Sequence, residues 1–224
     1  MAFWLDERVE YSRAERVSDG IIHVAGIVSA LIAASVLVTL AALWGQQQDI
    51  LVGTIIYSLT LVTMICASAA YHLTPYKGWK GTLQRLDHSA IYLKIAGTYT
   101  PFTLLAGADM WLFLAGIWVA AIAGTILRTV FHGQYFNAGL MLYVGMGWAG
   151  VWLAGDMLAA LDPATVRMMV VGGLVYTIGI AFWLLERLPF HNTIWHVFVL
   201  IATGIIYAAL LFEIAALAMA QAAI

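Results

Sequence analysis

This chain reads as an all-α membrane protein, a seven-transmembrane helical bundle with its N-terminus in the cytoplasm and its C-terminus outside. Three observations carry that reading. The 224 residues are 63% hydrophobic and 10% charged, with a mean hydropathy of +0.93; a soluble domain has about 25% charged residues. Seven stretches approach the roughly 20 apolar residues that a helix needs to cross the hydrocarbon core. The basic residues lie almost entirely on one side of those stretches.

The N-terminal stretch MAFWLDERVEYSRAER is polar and mixed in charge. It lacks a basic start leading into a short apolar core, so no cleavable signal peptide is expected and the first span acts as the insertion signal. Leu5 to Arg16 reads as a short amphipathic helix on the cytoplasmic surface, which sets a segment 1–19 apart from the membrane domain 20–224. The spans follow at 20–44, 50–73, 86–106, 109–128, 136–157, 165–186 and 193–217. Their connections are short and leave no room for a second folded domain. A bundle of this kind satisfies its backbone polar groups inside each helix.

Charge sets the orientation. Of the ten Lys and Arg residues, Lys94 lies inside the third span. Eight of the other nine (Arg8, Arg13, Arg16, Lys77, Lys80, Arg85, Arg128 and Arg187) fall on one side and Arg167 on the other. The positive-inside rule makes the first side cytoplasmic. The net charge of −2 is spread thinly, without the basic cluster that nucleic acid requires, and the one cysteine, Cys66, excludes an intrachain disulfide.

On this map five of the six histidines, His23, His72, His88, His191 and His196, meet the cytoplasmic side, and Asp87 joins them. Ionisable groups at membrane depth are costly and face a partner or a cavity. Zn²⁺ is the shared partner that imidazoles suit, and three protein ligands leave a position for a reactive water. Ser68 and His72 are four apart and face the same way on a helix. Glu15, Asp19 and His23 repeat at four and form a stripe into span one. Lys94 shares a face with Asp87, about 10 Å deeper at 1.5 Å per residue, which predicts a polar cavity below the site. His191 and His196 are five apart, separated by about 140° on an ideal helix. Both ligate only if His191 precedes the helix, which Pro189 just upstream permits. His88 points about 100° away from Asp87 and is expected to bond a neighbouring helix. His132 is expected in a solvated loop.

The run LDHSAIYLKIAGTYTPFTLL, with SAAYH upstream and HNTIWHVFVL near the end, resembles the bacterial haemolysin III family, which is grouped with the progestin and adipoQ receptors and more distantly with the alkaline ceramidases. The likeness extends from ERVSDGIIHVAG to the seventh span. It implies seven helices, a cytoplasmic N-terminus and a bacterial inner (plasma) membrane location. It also implies a zinc ion near the cytoplasmic side, held by one histidine at the end of span two and two on span seven, with an aspartate at the start of span three holding a water. By this resemblance His72 matches the first ligand, His196 the second of the span-seven pair, Asp87 the aspartate and Ser68 the motif serine. The remaining histidine position is occupied by Asn192, with His191 beside it. Either His191 or His23 replaces that ligand, or the site does not hold zinc.

Two functions follow as expectations. One is a zinc-dependent hydrolase acting on a membrane lipid, with a ceramide-like amide or ester as the natural substrate class. Asp87 would orient water or take its proton, and Ser68 would steady the developing oxyanion. The other is a non-catalytic membrane-homeostasis or sensing protein with a structural zinc; the family name also attaches cytolysis to such chains.

Overall fold

The computed structural model describes residues 11–44, 48–107, 110–131 and 136–222. The order is α1 (Arg13–Trp44), α2 (Gln48–Leu73), a 3-10 turn (Lys77–Trp79), α3 (Lys80–Ala106), α4 (Trp111–Val130), α5 (Phe136–Leu153), the short α6 (Gly155–Ala160), α7 (Pro163–Leu184) and α8 (His191–Ala222). Five of these, α1, α2, α4, α7 and α8, are long and apolar enough to cross a membrane. α3 is long but carries Lys80, Arg85, Asp87 and Lys94, and α5 has only 18 residues. The outer surface is apolar: Ile21, Val24, Val28, Leu31 and Ile32 are all exposed along α1. An apolar exterior around buried histidines and carboxylates is the pattern of a multi-pass membrane bundle.

The starts of α1 and α7 follow capping chemistry. α1 begins at Arg13 because Ser12 and Glu15 form a capping box: the Glu15 amide donates to Ser12 Oγ at 3.2 Å and the Ser12 amide donates to Glu15 Oε2 at 2.8 Å. The helix then runs through residues 19 and 20 without a break, so the expected division there falls inside one rigid element. The expected surface helix from Leu5 lies largely outside the described residues, and its last part, Arg13–Arg16, is the first turn of α1. α3 starts six residues before its apolar stretch, since Thr82, Leu83, Gln84 and Arg85 are compatible with helix though too polar for hydrocarbon. The expected fifth span 136–157 ends at Leu153 and continues, after a kink at Ala154, as α6. α7 is capped by Asp162, whose side chain accepts the Ala164 amide at 2.7 Å, with Pro163 in the first turn.

α1 packs between α2 and α8, α3 between α2 and α4, and α7 against α8. Close approach of α2 and α3 depends on glycine. A Cβ on Gly97 would fall 2.0 Å from Thr60 Oγ1, and one on Gly53 would fall 2.9 Å from the Pro101 Cα. Small residues that let backbones approach are the usual means of helix association in lipid. The arrangement brings one end of α1, α2, α3 and α8 together.

Candidate metal centre

His23, His72 and His196 come from α1, α2 and α8 and form a tight triangle. Their ring centroids lie 4.9 Å (His23–His72), 4.2 Å (His23–His196) and 4.6 Å (His72–His196) apart. His23 and His196 are buried. Asp19, one turn before His23 on α1, sits among them. One ligand atom from each of Asp19, His23, His72 and His196 can be chosen so that all lie within 4.8 Å of one another.

The hydrogen bonds fix how the rings are presented. His72 Nδ1 lies 2.8 Å from Asp19 Oδ2 and His196 Nδ1 lies 3.0 Å from Asp19 Oδ1. His23 Nδ1 lies 2.7 Å from the Asp19 backbone carbonyl. Each of these oxygens can only accept, so each Nδ1 carries its proton and donates it. In the neutral rings the lone pairs therefore reside on Nε2. The Nε2 atoms of His23 and His196 both face Ser68 Oγ at 3.3 Å. The Ser68 hydroxyl also lies against the buried Asp87 carboxyl, two turns into α3. The result is three clustered imidazoles, with the basic nitrogens of His23 and His196 turned to the Ser68 hydroxyl and the Asp87 carboxyl beside it.

These donors fit a zinc ion. Three neutral imidazoles whose second nitrogens donate to a carboxylate or carbonyl make the carboxylate–histidine arrangement that orients metal ligands. Both Asp19 oxygens are engaged by histidine N–H groups, so its best use is to hold the ligands.

Neighbouring contacts hold the frame. Lys80 donates to the backbone carbonyls of Tyr71 and His72, the latter at 3.5 Å, and stands over the Tyr71 ring at 4.9 Å. A cation there complements the C-terminal dipole of α2, and its partial burial pulls the Lys80 ammonium below its ordinary value while the Asp19 charge opposes that shift. On the other side, Glu15 Oε1 accepts the Phe190 amide at 3.0 Å and Ser18 shares a hydrogen bond with Thr193 at 2.9 Å. Phe190 has φ +61°, a left-handed conformation that costs a non-glycine residue about 1–2 kcal/mol. Its carbonyl accepts the Ile194 amide at 2.9 Å and starts α8.

The sequence-predicted residues are distributed as follows. His72, His196, His23, Ser68 and Asp87 all line one cavity. His191 is the first residue of α8 and turns away from the triangle: its Nε2 is 3.2 Å from the Tyr11 hydroxyl, and the two rings stack at 5.8 Å. Burial raises the Tyr11 hydroxyl above its ordinary value, with Asn192 opposing as a hydrogen-bond partner. His88 sits edge-on to Trp183 at 6.0 Å, and its carbonyl accepts the Tyr143 hydroxyl at 2.8 Å. His132 lies outside the described residues. The residue that sequence reasoning passed over is Asp19. Its i, i+4 spacing with His23 was visible, but nothing in one strand of sequence shows that it reaches His72 and His196.

Comparison with known proteins agrees over nearly the whole chain. The sequence profile of haemolysin-III related proteins matches residues 11–207. The Hemolysin-3 homolog of Bacillus subtilis (strain 168) is 32% identical over 200 residues, covering 88% of this chain and 93% of that protein. The Hemolysin-3 of Bacillus cereus is 32% identical over 202 residues, covering 89% and 92%. The Monocyte to macrophage differentiation factor of Homo sapiens is 28% identical over 169 residues, covering 69% and 67%. With its multi-pass helical bundle and the histidine triangle at one end, the chain belongs to the haemolysin-III related family.

Proposed function

We propose that the protein is a seven-span bacterial inner-membrane zinc protein that hydrolyses lipid amides or esters, with the site on the cytoplasmic side. The observation that carries this reading is the common orientation of His23, His72 and His196: Asp19 takes up their Nδ1 protons, which leaves three Nε2 lone pairs for one ion. On this reading His23 supplies the ligand missing at Asn192. The eight-to-one distribution of Lys and Arg supports the cytoplasmic N-terminus.

A zinc ion held by three imidazoles supplies Lewis-acid chemistry, polarising a carbonyl and acidifying water. The residues of the chain do the rest. Asp87, buried beside Ser68, accepts a proton from water or orients it. The Ser68 hydroxyl, within reach of both the histidines and Asp87, donates to the developing oxyanion. A cavity of about 950 Å³ running from the histidines past Lys94 and Trp148 receives the lipid. A ceramide-like amide is the substrate class to test first.

The test is release of fatty acid from a fluorescent lipid amide by zinc-loaded protein in detergent. Asp87→Asn is expected to keep its zinc and lose about 10²–10⁴-fold in rate, the usual size of an acid–base contribution. Cleavage at an unaltered rate would overturn the role of Asp87, and no cleavage by wild type across lipid amides and esters would overturn the hydrolase.

One observation favours a second reading. Asp19 offers an oxygen within 4.8 Å of the histidine donors, and a fourth protein ligand would close the site and make the zinc structural. The protein would then act in membrane homeostasis or sensing. Zinc that stays bound with four protein ligands by X-ray absorption, together with no cleavage, selects this reading.

A further inference from the structure

Arg85 and Arg128 are not among the residues that form the metal centre. Arg85 stands two residues before Asp87 on α3. Its Nη1 donates to the backbone carbonyl of Thr129, in the last turn of α4, at 3.4 Å. That contact is long and engages a single N–H group, whereas a guanidinium presents a fork of donors. The Arg85 Nε is buried and has no hydrogen-bond partner. Among the described residues, no carboxylate forms an ion pair with Arg85. Arg128 precedes Thr129 in the chain and is buried, its guanidinium carbon 5.6 Å from the centre of the Tyr143 ring. Two positive charges from two helices therefore converge on the last turn of α4, and Arg85 has donors to spare.

The surface around Arg85 is open and apolar. Leu86 beside it is exposed, and a Cβ added to Gly81, one turn earlier on α3, would meet open space. On α4, Val119, Ile122, Ile126 and Val130 are all exposed. Their spacings of three and four put them in one stripe along the helix, and the stripe ends at the turn that Arg85 contacts. A ligand complementary to this surface has an anionic head for the guanidinium and hydrocarbon for the stripe. A guanidinium fork matches the paired oxygens of a phosphate, and basic pockets between membrane helices hold such headgroups. A zwitterionic headgroup would bring its own cation towards two arginines. A free phosphate would leave the apolar stripe unused.

We propose that the outer surface between α3 and α4 binds an anionic phospholipid, its phosphate on Arg85, with Arg128 adding positive charge and the acyl chains along the exposed stripe of α4. This site faces the bilayer, is separate from the histidine triangle and does not depend on the hydrolase reading.

The test is native mass spectrometry of the full chain, released from detergent in the presence of equal amounts of dioleoyl phosphatidylglycerol and dioleoyl phosphatidylcholine. Wild-type protein should retain the phosphatidylglycerol at least about tenfold better, the scale of a charge-assisted hydrogen bond. Arg85→Gln should abolish that preference while leaving phosphatidylcholine retention and zinc content unchanged. Arg187→Gln, which removes an exposed charge from the connection before α8, should keep it. Equal retention of the two lipids by wild type, an undiminished preference in Arg85→Gln, or an equal loss in Arg187→Gln would overturn the site. Displacement of the lipid by inorganic phosphate at equal concentration would overturn the lipid assignment. Should Arg85→Gln not fold, Arg85→Lys takes its place: it keeps the charge and gives up the fork, so the preference should fall, and an unchanged preference would sink the proposal. Zinc-stripped protein and Asp87→Asn should both retain the preference, so failure of the hydrolase reading and failure of this one are told apart.

Discussion

Two carboxylates tie helices together towards opposite ends of α8, and they end up with different capacities. Glu213 accepts the Asp162 amide at 3.2 Å and the Thr165 hydroxyl at 2.5 Å, stitching the start of α7 to α8. Its partners are a backbone donor and a hydroxyl, and the contact satisfies a helix N-terminus that would otherwise be short of acceptors. Asp19 accepts from His72 and His196 at 2.8 and 3.0 Å. Its partners are bifunctional: an imidazole that donates from one nitrogen keeps a lone pair on the other. The first cluster is complete in itself. The second uses one set of hydrogen bonds to aim a second set of atoms. A carboxylate bridge between helices therefore signals a site only when its partners have unspent ligating capacity.

The contrast can be broken most directly at the triangle. His23→Ala, His72→Ala and His196→Ala should each reduce zinc from about one per chain to near background, measured by elemental analysis of purified protein. His191→Ala should leave zinc in place, because His191 faces Tyr11. Zinc lost from His191→Ala and kept in His23→Ala would reverse the ligand assignment.

A smaller effect is expected from the orienting carboxylate. Asp19→Asn should weaken zinc by about 10–100-fold, the usual cost of losing such a partner, read by competition with a chelator. Glu213→Gln should leave zinc affinity unchanged. It should instead lower thermal unfolding stability by about 1.5–3 kcal/mol, the range for hydrogen bonds to a charged group. An Asp19→Asn protein with wild-type zinc affinity would make the two carboxylates equivalent, and the comparison would fail.

The smallest effect concerns the start of α1. Ser12→Ala removes one half of the capping box and should cost about 1 kcal/mol, seen as a modest drop in melting temperature with zinc content unaltered. A large loss of zinc from Ser12→Ala would mean that the first turn of α1 places Asp19 more strongly than the helix as a whole does.

Much of this was legible in one dimension. Hydropathy located the helical core of every long element, and the misplacements have a common cause: apolar runs report where lipid begins, whereas a helix also takes in the polar residues that flank them. α1 starts at the Ser12–Glu15 box, visible in the sequence as S-x-x-E, and α3 starts at Lys80, ahead of its apolar stretch. The spacing Ser68–His72 put a hydroxyl and an imidazole on one face of α2, and the seven residues from Asp87 to Lys94 correctly indicated two groups on one cavity.

The sequence by itself determined an all-helical membrane chain, the family it belongs to and the presence of His72, His196, Ser68 and Asp87 near one end of the bundle, because these follow from composition, periodicity and local motif. Only the tertiary structure placed His23, rather than His191, beside His72 and His196. A left-handed Phe190, held by Glu15, starts α8 so that His191 meets Tyr11 while His196 meets Asp19. It also decided that Asp19 serves three histidines at once. Those outcomes depend on the distances between α1, α2 and α8, which are set by side-chain packing between helices far apart in sequence and leave no trace in the periodicity of any one of them.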